Sequence, residues 1–268
     1  MGATRLGIRA GDRSVAGAGS VAARLDAELV ELVPGDASLG ELFDALREGR
    51  ADAVVAPAIP GATALAGLAL GAVPKRRDAR DALVGSATLD KLPAGSRVTV
   101  GTPLRRALAA AARPELSIEL DSPTAPDAVI DALAVLEAPD SAAEFLDVSD
   151  WPTAPGQGAV LVVTRRGDEK RVAKADHRPS HLTVLAELGV LERLGAEVGE
   201  TLAAHASLDD GLLFLSARVY RADGSAFLTS SHALYPEDSS DPTGELAARV
   251  ADELLALGAE GFAHGGAE

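Results

Sequence analysis

The chain contains no cysteine. Disulfides, thiolate metal sites, cysteine nucleophiles and thioether-linked cofactors are therefore all excluded. Aromatic residues are scarce, at 3% of the chain, and Lys75, Lys91, Lys170 and Lys174 are its only lysines, so positive charge rests on arginine. No apolar run reaches the roughly 18 residues that a membrane span needs. Met1 to Leu25 carries Arg5, Arg9, Arg13 and Arg24 without an apolar stretch, which predicts no secretory leader. A cytoplasmic protein is the expectation.

Acid outweighs base: the net charge is −15. Such a surface repels nucleic acid and anionic lipid, so neither is expected as a partner. Any anion site has to be a local cluster of arginines working against the global field. The five histidines, His177, His181, His205, His232 and His264, lack a tight ligand spacing. His177 and His181 are four apart, but Pro179 between them marks a helix start, and no metal site is expected.

What is present is 268 residues, 47% of them hydrophobic, enough for two or three domains. The first stretch alternates strands and helices. Arg5–Ile8, Glu28–Val33 and Ala53–Ala56 read as strands, and Val15–Leu25 and Leu39–Gly49 as helices. This order predicts an α/β unit with a ligand crevice at the strands' C-terminal ends. A second unit begins near Pro93, with strands Arg97–Val100, Leu116–Leu120 and Ala159–Thr164 and helix Pro103–Ala112; Ala128–Leu136 fits a strand or a helix. Phe145–Val148 leads into a loop, and residues 165–178 are a polar connection. The third unit reads as α+β. It has helix Ser180–Leu194, strands Leu202–Ala206 and Leu212–Tyr220, a turn at Asp223-Gly224 into strand Ala226–Ser230, and a last helix from Asp241-Pro242.

Three loops could carry chemistry. In Val100-Gly101-Thr102-Pro103-Leu104-Arg105-Arg106, Thr102 caps and Pro103 opens a helix whose N-terminus favours an anion. Arg105 and Arg106 could clamp carboxylates, or could be solvated arginines on a well-capped helix. Pro152 to Gly158 places glycines around Gln157, which allows close approach to a ligand or a neighbouring domain, or simply makes a tight loop. Asp78-Ala79-Arg80-Asp81, after Pro74-Lys75-Arg76-Arg77, reads either as a hinge ion-pair network or as a solvated loop.

The order of these loops resembles the hydroxymethylbilane synthase (porphobilinogen deaminase) family. Val73-Pro74-Lys75-Arg76 with Asp78 to Leu83 is similar to its V-P-x-R-x-D-P-R-D-x-L, with Ala79 for proline. Val100 to Arg106 resembles V-G-T-S-S-L-R-R, one residue shorter. Ala154 to Ala159 reads APGQGA, as the family does. Arg5 to Arg9 resembles R-I-x-T-R, and Ala186-Glu187 with Leu191 to Gly195 resembles A-E-R-x-x-L-x-x-L-G.

The resemblance implies two α/β domains of the type II periplasmic-binding-protein kind and a small C-terminal α+β domain. The ranges expected are 1–92 with a return segment at about 165–180, then 93–164, then 181–268. It implies cleft arginines that hold the carboxylates of porphobilinogen. It also implies a cysteine-bound dipyrromethane cofactor, a catalytic aspartate, and a linear tetrapyrrole product on the haem pathway. Arg9, Arg105 and Arg106 match cleft arginines, and Thr102 and Gln157 match their neighbours, as substrate-binding candidates.

The departures are as specific as the matches. The family's H-S-x-K-D-x-P reads Ala56-Pro57-Ala58-Ile59-Pro60, so the aspartate and lysine are gone. Its R-G-N-x-x-T-R gives way to Asp121-Ser122-Pro123-Thr124, and the mobile loop expected between Val33 and Leu42 is mostly deleted. Its cofactor loop reads Gly195 to Thr201, with Val198 nearest the cysteine's place. No catalytic residue and no bound cofactor is expected. The expectation is an impaired synthase-like protein that binds a small anion such as porphobilinogen or a porphyrin intermediate. The alternatives are a structural or regulatory partner of another tetrapyrrole-pathway enzyme, or an active synthase with altered chemistry.

Overall fold

The computed structural model describes residues 4–12, 17–58, 67–122, 125–135 and 144–263. Val15, Ile59, Pro60, Pro123, Thr124, Leu136 and His264, all used above, lie outside them. The chain runs β1 (Thr4–Arg9), α1 (Ala18–Leu25), β2 (Ala27–Val33), α2 (Leu39–Arg47), β3 (Ala53–Pro57) and β4 (Leu68–Ala72). It continues β5 (Asp81–Gly85), β6 (Arg97–Val100), α3 (Pro103–Ala112), β7 (Ser117–Leu120), β8 (Ala128–Ala132), β9 (Glu144–Phe145) and β10 (Val160–Arg165). The last part is α4 (Arg178–Gly199), β11 (Leu202–Asp209), β12 (Leu212–Tyr220), β13 (Phe227–Leu234), α5 (Pro242–Ala256) and α6 (Ala259–Ala263). None of the described helices is long and apolar enough to cross a membrane.

Two five-stranded sheets share one plan. Their orders are β2-β1-β3-β10-β4 and β7-β6-β8-β5-β9. In each, the second strand pairs parallel with both its neighbours, and the fourth strand is antiparallel to the third. That antiparallel strand always arrives from the other sheet: β5 follows β4, and β10 follows β9. This is the type II binding-protein arrangement that the resemblance implies. Sheet membership therefore differs from the expected division at residue 92. Asp81–Gly85 pairs in the second sheet, and Val160–Arg165, expected in the second unit, pairs in the first. The chain crosses between sheets twice, through 73–80 and 146–159.

Local sequence explains the elements. β3 is buried throughout, as the centre of a two-sided sheet requires. α2 starts at a capping box, in which Ser38 Oγ accepts from Glu41 N at 3.2 Å and Glu41 Oε2 accepts from Ser38 N at 2.8 Å. It buries Leu42, Phe43 and Leu46. Residues 128–132, open to either reading, form a strand followed by a short 3-10 turn. The connection after β10 folds back on the first sheet: a Cβ on Gly71 of β4 would meet Val172 Cγ2 at 2.4 Å, so a larger residue there would push Val172 away.

The third sheet is antiparallel, β11-β12-β13, with α4 and α5 against it. One hydrophobic cluster runs from Phe43 and Leu46 of α2 through Val54 and Leu161 to Leu188, Leu202 and Leu254. The C-terminal unit and the first sheet thus share a core. Helix α4 is longer than expected, continuing past Leu194 to Gly199 through a kink at Gly195, whose φ is 81° and ψ 168°.

Candidate functional site

The two crossing connectors meet side by side, and the APGQGA loop is where they touch. Arg77 N donates to Gly158 O at 3.0 Å. Gly158 has φ +79°, and a Cβ there would lie 2.8 Å from Asp78 O and 3.0 Å from Arg77 O. Gly156 has φ +73°, and its Cβ would lie 2.7 Å from the Cβ of Ala58. Both glycines are required by close backbone approach. What approaches is the other connector and the end of the β3 strand.

Between those glycines, Gln157 links two buried ion pairs. In the first, Asp81 opens β5 at 1% exposure, and its carboxylate is saturated. It accepts from Arg105 Nε and Nη2 at 3.1 and 2.9 Å, from Trp151 Nε1 at 2.9 Å, and from Gln157 Nε2 at 2.7 Å. Arg105 also donates to Asp131 Oδ1 at 2.9 Å and Gln157 Oε1 at 3.3 Å. In the second, Arg76 meets Glu187 of α4 through two bonds of 2.6 and 3.0 Å and donates Nε to the Gln157 carbonyl at 2.8 Å. Glu187, fully buried, also accepts from Gly156 N at 2.7 Å and Ala206 N at 2.8 Å. Bidentate arginine–carboxylate pairs with every remaining oxygen bonded are the arrangement that offsets the cost of burying charge.

The second pair reaches His205 of β11, whose Nδ1 lies 3.9 Å from Glu187 Oε1. No hydrogen-bond partner meets that nitrogen among the described residues. Burial holds the His205 pKa below its ordinary value of 6.5. Glu187 pulls it upward and Arg76 reinforces the lowering.

Of the five residues expected at a site, the structure brings three together. Thr102 caps α3, its Oγ1 accepting from Arg105 N at 3.2 Å, and Arg105 and Gln157 meet over Asp81. Arg105 is 7% exposed, and its guanidinium is engaged by two carboxylates and an amide. Arg9 ends β1 in the other sheet, paired with Asp12 and donating Nη1 to Ala37 O at 3.1 Å. Arg106, one residue round the helix from Arg105, lines a surface recess with Ile118 and Asp223. The histidine pair also has local work: His177 Nδ1 meets Ser180 Oγ at 2.9 Å, and His181 Nδ1 meets Asp176 Oδ1 at 2.7 Å.

Sequence reasoning singled out neither Asp131 nor Trp151 and saw Glu187 only as a letter of a motif; of its two readings of the stretch from Pro74 to Asp81, the structure shows the ion-pair network, with partners Glu187 and Arg105 that the sequence did not name. A further signal was the apolar run Ala82-Leu83-Val84 directly after Asp81, which marks a buried strand opened by an acid.

Residues 23–173 match the family model described as porphobilinogen deaminase, dipyromethane cofactor binding domain. A porphobilinogen deaminase of Leifsonia xyli is 38% identical over 314 residues of alignment, spanning 98% of this chain and 95% of that one. The chain belongs to the porphobilinogen deaminase family. A porphobilinogen deaminase of Burkholderia ambifaria is 36% identical over 239 residues, 82% of this chain and 73% of that one. Among solved structures, a nutrient binding protein from Burkholderia cenocepacia bound to methionine superposes with a TM-score of 0.44 at 13% identity, covering 64% of this chain and 90% of that chain.

For a porphobilinogen deaminase, the place of a thioether-linked dipyrromethane is the natural test. The residues here do not fit it. The chain has no sulfhydryl. Val198, nearest the expected cysteine, lies on the helical turn after the Gly195 kink, is 3% exposed, and belongs to the core that includes Leu191 and Leu202.

Proposed function

We propose that this porphobilinogen deaminase homologue serves tetrapyrrole biosynthesis by binding a small carboxylate-bearing pyrrole, without building a tetrapyrrole on a covalent primer. The observation that carries this reading is Val198. A primer attached through sulfur needs an accessible thiol, and this position offers a buried hydrocarbon in a helical turn.

The engagement of Arg105 supports the second half of this reading, the loss of synthase chemistry. A ligand carboxylate that recruited Arg105 would have to compete with Asp81, whose other donors cannot neutralise it. Stripping one partner from a buried pair costs about 3–5 kcal/mol. Arg105 therefore acts as a positioning residue that ties α3 to the crossing connectors. The missing aspartate adds to the loss, since a general acid–base group is worth roughly 10²–10⁴ in rate.

The test is direct. Purified protein incubated with porphobilinogen, with the product oxidised and read as uroporphyrin, is expected to form no tetrapyrrole above the blank. Sustained turnover would overturn the proposal.

A further inference from the structure

We infer that the cavity between α1 and the 74–77 connector binds a small, ring-bearing carboxylate through Arg24, Lys75 and Arg77. The inference rests on the reading that the chain binds a carboxylate-bearing pyrrole, and it gives that ligand a place.

The cavity measures about 540 Å³, within the roughly 300–1,000 Å³ of small-molecule sites. Three cations and no carboxylate stand on its described wall. That is unusual in this chain, which carries 40 acidic and 25 basic residues. Several arginines elsewhere meet acids, Arg9 with Asp12, Arg76 with Glu187, Arg105 with Asp81 and Arg171 with Asp52, while others lie on rings, Arg218 on Phe227 and Arg221 on Phe262. Arg24, Lys75 and Arg77 are exposed, and no carboxylate pairs with any of them among the described residues.

Arg77 is held in place from behind. Its backbone N–H is bonded to Gly158, and its Nη1 donates to the carbonyl of Ala134, beyond β8 in the second sheet. The same residue lines the cavity. Like charges gathered on one concave wall repel one another, and an anion between them relieves that repulsion. A concave wall of one sign also focuses the field against the chain's overall negative charge.

The remaining wall sets the chemical class. Val21 and Val160 give it an apolar floor, and the exposed Ser20 offers a hydroxyl. An apolar floor under a rim of cations suits a flat ring that carries carboxylates. The arginine fork matches a planar carboxylate. None of Arg9, Thr102, Arg105, Arg106 or Gln157 is on this wall.

Calorimetric titration at low salt, with porphobilinogen and with benzene-1,3,5-tricarboxylate as probes, tests the site. The wild-type chain is expected to bind at least one probe. The double variant Lys75→Glu/Arg77→Glu is expected to weaken it at least tenfold, and Lys91→Glu, a matched reversal elsewhere, to leave it unchanged. Arg24→Glu alone gives the same answer if the double variant misfolds. No binding of either probe at millimolar concentration would overturn the site, as would equal binding by the reversal variants or displacement by an equal concentration of inorganic phosphate. Binding that ignores these reversals would leave the proposed function standing, because that reading is decided separately by porphobilinogen turnover.

Discussion

Gln157 donates its Nε2 to Asp81 Oδ1 at 2.7 Å across 76 residues of sequence. That bond joins the loop between β9 and β10 to the first residue of β5, so the second connector is anchored to the strand the first one leads into. Asp81 is the acceptor on which four side-chain bonds converge. Asp81→Ala is expected to lower the unfolding free energy by about 3 kcal/mol or more, since it leaves a buried guanidinium short of its main partner. Urea unfolding at neutral pH measures this, and a loss under about 1 kcal/mol would mean that Asp131 suffices for Arg105.

The glycines of the loop make a paired prediction. Gly158→Ala meets both a positive φ and two carbonyl oxygens of the other connector. Gly167→Ala meets a positive φ of 97° with open space around it. The second should cost the left-handed penalty of about 1–2 kcal/mol. The first should cost visibly more, because backbone must move. Equal thermal shifts for the two variants would show that the connectors do not press on each other.

Restoring the sulfur should not restore the chemistry. Val198→Cys is expected to fold, since cysteine packs as a small hydrophobe. Its thiol should react slowly with a disulfide reagent in the native state and fully in denaturant. After incubation with porphobilinogen its mass should be unchanged. Rapid native labelling would show that the turn after Gly195 opens in solution.

His205 ties stability to pH. Its folded pKa is depressed, first by burial, so the unfolded chain binds the proton more readily. The contribution of neutral His205 is fully present above about 6.5 and is lost as pH falls below that value toward the depressed folded pKa. Chemical unfolding at pH 7.5 and 5.5 should show a drop for the wild type that is smaller in His205→Asn. Parallel losses in both proteins would place the titration elsewhere.

Elements with strong local chemistry were legible in the sequence. Helix α3 matches its expected range of 103–112 because Thr102 and Pro103 set its start, and the β12–β13 turn followed from Asp223-Gly224. β4 was not legible, because Leu-Ala-Leu-Gly-Ala carries little β-propensity and the strand is placed by pairing with β10, about 90 residues later. β5 was hidden because the charges at 78–81 fit either an ion-pair network or a solvated loop, and burial of Asp81 depends on Arg105, 24 residues away. β10 was found as a strand but placed in the wrong sheet, since nothing local tells an apolar strand which edge it will pair with. At the site, residue types were legible and partners were not: Arg105 reads equally well as a clamp for a ligand or for Asp81.

The bond between Arg77 and Gly158 has a mechanical side. Two narrow strips laced together bend easily about one line and resist torsion, as a flexure does. The two five-stranded sheets are joined by such a pair of strips, with Gln157 as the rivet. Such a joint is expected to favour one soft coordinate, a swing that opens or shuts the space between the sheets, over twisting.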